Sequence, residues 1–235
     1  MSKQPESLSY SYTFVFGEGS YLTVKAELDP QTLLVKNDEA QSLPEWTQLD
    51  FHKCPHCPLK KSDTPFCPAA RHISAVTSRF RQYLSITRVG VIVETPERRC
   101  EKEVDLQKGL SSLMGIFMAG SGCPHTDFLR PLLKFHLPFA NRQETFYRVL
   151  SMYLLAQYMR GDMILDADGA TKHLSEKYKA LRLVNKSIRE RIKAAESEEA
   201  NANALMILDC FALDASFRID QDLFTDLEKV FGVYR

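Results

Sequence analysis

No apolar run in this 235-residue chain is long enough to cross a bilayer; the longest, Leu110 to Ala119, is short and interrupted by Gly115. Net charge is missing as well. Thirty basic residues balance thirty acidic ones, so no global field draws the chain to nucleic acid, a membrane surface or an acidic partner. The opening residues, Met1 to Glu6, contain no apolar core for a signal peptide, and the expected location is the cytoplasm. There is no glycine-rich phosphate loop, no serine nucleophile elbow and no carboxylate pair spaced for acid-base catalysis. Asp166 and Asp168 lack the other ligands of a calcium loop. Internal repeats and low-complexity segments are absent too. What is present is a globular composition, 44% apolar, able to bury a substantial core.

The first third alternates with the period of strands. Tyr10, Tyr12, Phe14 and Phe16 face one way, Gly17 to Ser20 turn the chain, and Leu22, Val24, Ala26 and Leu28 share a face on the return. Thr47, Leu49 and Phe51 suggest a short strand, Val89, Val91 and Val93 another, and Arg99 to Val104 its partner after the Thr95-Pro96-Glu97-Arg98 turn. A helix is expected from Pro68 to Tyr83, with Cys67 as its cap and Pro68 at its first position.

Helical stripes then dominate. Leu106 to Met118 forms one, and Cys123-Pro124 opens a further short helical segment. Arg142 to Arg160 starts with the capping box Asn141/Glu144, and the Asp166 to Gly169 break precedes a long helix through Leu174 and Ala195. Ala202 to Leu213 and Asp222 to Val230 complete the set. The expected fold is α+β: an N-terminal antiparallel sheet of four or five strands with one helix (residues 1–105), followed by a mostly helical C-terminal half (residues 106–235), the two able to form one compact domain.

Four of the six cysteines are followed directly by proline: Cys54-Pro55, Cys57-Pro58, Cys67-Pro68 and Cys123-Pro124. Random placement would give about 0.3 such pairs, so the pattern asks for a physical cause. Proline fixes its own backbone angle and pushes the preceding residue into extended geometry, which presents a sulfur from a stiff, non-helical segment. Thiolates meant to converge on a metal need that approach. The Cys54-Pro-His-Cys57 knuckle puts two sulfurs on one tight turn, and Cys67, at a helix N-terminus, supplies a third. The fourth ligand is either His72, one helical turn beyond Cys67, or the distant Cys123, whose shared proline favours it; His125, His52 and His56 are further candidates. Four thiolates suit tetrahedral zinc or an iron–sulfur cluster, and the ligand set does not separate the two. Cys123 would then staple the helical half to the sheet half.

A catalytic reading competes. The segment Leu49 to Cys57 resembles the active-site motif of thioredoxin-superfamily oxidoreductases, in which Cys54 would attack a disulfide and Cys57 would resolve it. That resemblance covers about ten residues, and Pro58, the Lys60 to Asp63 run and Pro65 stand where that fold continues into a long helix. Cys100 and Cys210 lack the proline and look like small core residues. His136, in the stiff corner Phe135 to Phe139, is expected as a hydrogen-bonded, buried histidine. Lys172, Lys177, Lys179, Arg182, Lys186, Arg189, Arg191 and Lys193 line the long helix and are expected to form a solvated face rather than a nucleic-acid surface.

Taken together, Cys54-Pro-His-Cys-Pro-Leu59, Cys67-Pro-Ala-Ala70, Glu94-Thr-Pro-Glu-Arg98, Ser121-Gly-Cys-Pro-His125 and Phe135-His-Leu-Pro-Phe-Ala140 resemble an uncharacterised bacterial family, a domain of unknown function. The resemblance implies a bacterial cytosolic protein and brings no activity, cofactor or partner. The residues themselves point to a non-enzymatic, structural, sensing or interaction protein that binds a metal through Cys54, Cys57, Cys67 and Cys123 and meets a protein partner.

Overall fold

The computed structural model describes residues 8–36, 42–161, 167–195, 199–221 and 230–234. Four strands, β1 (Leu8–Val15), β2 (Tyr21–Leu28), β3 (Arg88–Glu94) and β4 (Arg99–Asp105), form one antiparallel sheet in the order β2-β1-β3-β4. The two-residue alternation decides which face is covered. Tyr10, Tyr12 and Phe14 of β1, with Phe16 just beyond it, Val24, Ala26 and Leu28 of β2, and Val89, Val91 and Val93 of β3 all point inward and are buried. Helices α1 (Pro68–Thr77) and α2 (Leu106–Ala119) supply the other side of that core. Gly109 lets α2 come close: a Cβ there would sit 2.8 Å from Phe14 Cε1 and 2.9 Å from Val91 Cγ2.

The short α3 (Pro131–Lys134) leads to α4 (Arg142–Arg160), whose N-terminus carries the expected capping box, Asn141 Oδ1 accepting from the Glu144 amide at 2.9 Å and Glu144 from the Asn141 amide at 2.7 Å. Then α5 (Ala167–Ala195) and α6 (Glu199–Gln221) pack along one another, α6 also onto α2 and α5 also onto α1. Val184, Ile188 and Ile192 of α5 and Ala204 and Leu205 of α6 join the sheet-side core. A second cluster of α4, α5 and α6 residues, including Val149, Tyr178 and Ala212, closes the helical end. Among the described residues no helix is long and apolar enough to cross a membrane.

Four local expectations differ from the structure. Thr47 to Phe51 is not a strand but a 3-10 turn, Glu45–Thr47, followed by the single bridge Gln48–Phe66, because an arginine takes the carbonyls a ladder would use. Helix α1 stops at Thr77, where the Ser74, Thr77 and Ser78 hydroxyls bond back to the carbonyls of Arg71, Ser74 and Ala75 and compete with continuation. Asp168 and Gly169 lie within α5, whereas Asp166 lies outside the described residues. Helix α6 runs on to Gln221, and residues 222–229 of the expected last helix lie outside the described residues.

Candidate metal centre

The loop carrying the first three cysteines is closed at its base by main-chain bonds. Leu49 N–H donates to Pro65 O at 2.9 Å and Cys67 N–H to Thr47 O at 2.8 Å, so the chain leaves and returns at one place. Inside the loop His52 adopts a left-handed backbone, φ 44°, and Lys53 Nζ donates to Leu59 O at 2.7 Å. Cys57 N–H donates to Cys54 O at 3.0 Å, closing the Cys-x-x-Cys turn. Cys67 sits at the N-cap of α1 in extended conformation, as the following Pro68 requires, and its carbonyl accepts from Arg71 N–H at 2.9 Å.

Cys123 arrives from the other half of the chain. After α2 the backbone turns at Gly122, φ 80°, a conformation that favours glycine. Ser121 Oγ accepts from the Cys123 amide at 3.2 Å, and the fully buried Thr126 hydroxyl ties Met118 O (2.8 Å) to Cys123 O (3.1 Å). Cys123 is thereby held on a short, rigid turn.

The four Cys-Pro sulfurs are brought into one neighbourhood. Each of Cys54, Cys57 and Cys67 acts electrostatically on the Cys123 thiol, and Cys57 and Cys67 act on Cys54. Burial pushes the Cys123 thiol up to about 12, opposed by a hydrogen bond from the His125 backbone N–H, with the neighbouring cysteines adding to the rise. Burial also raises the Cys54 thiol, opposed by a hydrogen bond from the Ser187 hydroxyl of α5. Cys54, Cys67 and Cys123 are buried, Cys57 is half-buried, and all of them are free thiols.

Over this cluster lies Arg191, a residue the sequence places in a solvated basic stripe. Instead it is 1% exposed. Its guanidinium donates to Trp46 O (2.8 Å), Gln48 O (2.7 Å) and Leu49 O (2.9 Å), pinning α5 to the base of the cysteine loop. Burial lowers its pKa, and the groups opposing that shift are Cys67, Cys54, Cys57 and lastly Asp50. No carboxylate among the described residues makes an ion pair with it. The other basic residues of α5 are exposed or half-buried, Lys177 lying 5.9 Å from the Phe128 ring centre and Arg182 pairing with Asp209 at 3.4 Å.

The histidines divide. His125 lies against His56 with ring centres 3.9 Å apart and planes tilted by 39°, and its Nε2 lies 3.0 Å from His56 O, which ties the Cys123 turn to the Cys54–Cys57 turn. Burial and then the facing His125 push His56 below its usual range, with the Ala180 backbone of α5 acting the other way. His72 is buried on α1 and lines a separate cleft of about 390 Å³ with Val24, Val35 and Phe117; none of the four thiols lines that cleft. His136 is hydrogen-bonded as expected, its Nε2 2.7 Å from Tyr12 Oη. Cys100 is half-buried on β4 and Cys210 is exposed on α6, so neither is the core residue its apolar neighbours suggested.

Among the described residues, no three or more His, Cys, Asp or Glu side chains stand as a ready-made ligand group. Thiol ligands must lose their protons to bind a metal, and a shared ion is what would draw the deprotonated sulfurs together. The chemistry within reach is soft-metal coordination or, between Cys54 and Cys57, disulfide formation. Sequence reasoning missed Arg191 and Ser187. Their only early signal was that each lies on the apolar side of α5, beside Val184, Ile188 and Ile192.

No curated protein and no solved structure matches the chain. A family model, described as a domain of unknown function (DUF6901), matches residues 9–232. With nearly the whole chain inside that match, the protein belongs to the DUF6901 family.

Proposed function

We propose that the protein carries one inorganic centre, a zinc ion or an iron–sulfur cluster, on Cys54, Cys57, Cys67 and Cys123, and acts in a reducing cytosol as a structural or sensing protein that meets a protein partner. What supports this reading is that Cys54, Cys57 and Cys67 each lie near enough to Cys123 to act on its thiol, and that the buried Arg191, which no carboxylate among the described residues pairs, feels three of these four cysteines. Four thiolates around such a centre leave a net negative charge, and Arg191 is a cation already in place to offset it. The amide of His125 and the hydroxyl of Ser187, each directed at a sulfur, are the donors that thiolate ligands use.

A thiol oxidoreductase would need a low-pKa, accessible nucleophile. Cys54 is buried and its thiol is pushed up, and Pro58 begins an irregular loop rather than a helix. Thr95 and Pro96 serve in the β3–β4 turn, where Thr95 N–H donates to Arg98 O at 2.9 Å. The geometry favours binding over thiol exchange.

Elemental analysis and an absorption spectrum of anaerobically purified protein test the proposal. The expected result is about one zinc ion, or iron with acid-labile sulfide and a brown chromophore, per chain. Metal-free protein that reduces insulin disulfides, and stops doing so on Cys54→Ser, would overturn it.

A further inference from the structure

A cavity of about 1160 Å³ opens between α2, the Phe135 to Ala140 corner, α4, α5 and α6, and none of the four Cys-Pro cysteines lines it. Its walls are largely apolar, with Met118, Leu133, Val149, Leu181, Met206 and Phe211 among them. Of the polar side chains that break that surface, which include Lys108, His136, Arg142 and Asn203, three carry the argument. Tyr178 is 1% exposed and Asn185 2%, yet the Tyr178 hydroxyl and both polar atoms of the Asn185 amide have no hydrogen-bond partner among the described residues. Both line the cavity from α5, two helical turns apart on one face with Leu181 between them.

The third is Arg148 of α4. Its Nη2 donates to Leu132 O (3.2 Å) and Phe135 O (2.7 Å), which fixes the guanidinium at the cavity wall. It lies close enough to Tyr178 to act on that hydroxyl electrostatically. No carboxylate among the described residues pairs with it, and Glu144, the one acid whose charge it feels, is committed to the α4 cap. Buried polar groups in folded proteins are satisfied as a rule, and groups that are not, around a large apolar cavity, mark where a ligand supplies the missing partner.

We propose that this cavity binds an amphiphilic carboxylic acid, with its carboxylate accepting hydrogen bonds from Arg148 and the Tyr178 hydroxyl and its chain lying along the Met118, Leu133 and Met206 wall. The anion answers a guanidinium that no carboxylate among the described residues pairs, and the chain answers the apolarity of the walls. The Asn185 amide, two turns further along, meets a second polar group or an ordered water.

Isothermal titration of the full chain with dodecanoate and with dodecanol, both below their aggregation concentrations, tests this. Dodecanoate should bind about tenfold more tightly than dodecanol, since only the acid engages the guanidinium. Tyr178→Phe should weaken dodecanoate by about tenfold while leaving the melting temperature of the free protein unchanged or higher, because it removes a hydroxyl that has no partner there. Gly115→Leu, entering from α2 where a Cβ has no neighbour closer than 3.9 Å, should block binding without unfolding the chain. Equal affinity for acid and alcohol, no heat with dodecanoate, or unchanged binding in Tyr178→Phe or Gly115→Leu would overturn the proposal.

Discussion

Arg191 and the four cysteines set the chemistry at the scale of single residues. The buried Arg191 cation favours the thiolate over the thiol at Cys54, and removing it makes that sulfur harder to deprotonate. Arg191→Met should therefore move the pH midpoint of zinc or cobalt loading upward by about one unit, read by metal titration at successive pH values. Arg191→Lys separates charge from shape: the midpoint should stay near that of the parent protein, while the three carbonyls of Trp46, Gln48 and Leu49 lose their fork and the fold loses stability. If the proposed centre is present, Cys67→Ser should lose its metal and destabilise the protein, whereas Cys210→Ser, exposed on α6, should leave metal content unchanged. A Cys210→Ser protein without metal would contradict the assignment. The cysteines were legible because proline leaves a mark in sequence. Arg191 was not, since a guanidinium buried by its three carbonyl partners and one dissolved in water look alike in a helical stripe.

At the scale of elements, the sheet and α2 fit one another through Gly109. Gly109→Ala adds a methyl 2.8 Å from Phe14 and 2.9 Å from Val91, both side chains in the middle of the core, and neither can swing away. The gain in helix propensity is smaller than the overpacking, so urea unfolding should show a net loss of about 1–3 kcal/mol. Asn141→Ala, which removes a reciprocal cap at the start of α4, should cost about 1 kcal/mol in the same assay. The hairpin β1–β2, the β3–β4 pair, α2 and the α4 cap could all be read from period and capping residues. Thr47 to Phe51 could not. Its apolar alternation suits a strand, and what prevents one is an arginine more than 140 positions away claiming its carbonyls. Likewise, the hydroxyls that stop α1 at Thr77 outweighed an apolar stripe that continued to Tyr83.

For the whole molecule, two histidines link stability to acid. Burial, then Arg148, pushes His136 down to about 3, and burial, then Arg71, pushes His72 down to about 4. Both are neutral in the folded protein at pH values where the unfolded chain would take up a proton. Their contribution is complete above the unfolded value of about 6.5 and is lost as pH falls toward the folded values. Urea midpoints between pH 7 and pH 4 should fall steadily. His136→Asn keeps an acceptor for the Tyr12 hydroxyl but cannot charge, and should flatten that slope; an unchanged slope would place the acid sensitivity elsewhere.

The thiols act in the opposite pH range. With Cys123 raised to about 12 and Cys54 raised as well, metal-free protein should lose stability as pH climbs above about 8.5, where the unfolded chain releases protons that the folded one keeps.

The proposed centre would join segments distant in sequence, and alkylation counted by mass spectrometry tests that joining directly. With native protein, Cys54, Cys57, Cys67 and Cys123 should stay unlabelled until the metal is removed and then react together, while the exposed Cys210 labels at once in either state. Labelling of the four that is indifferent to metal removal, or Cys123 reacting independently of the other three, would contradict a shared centre.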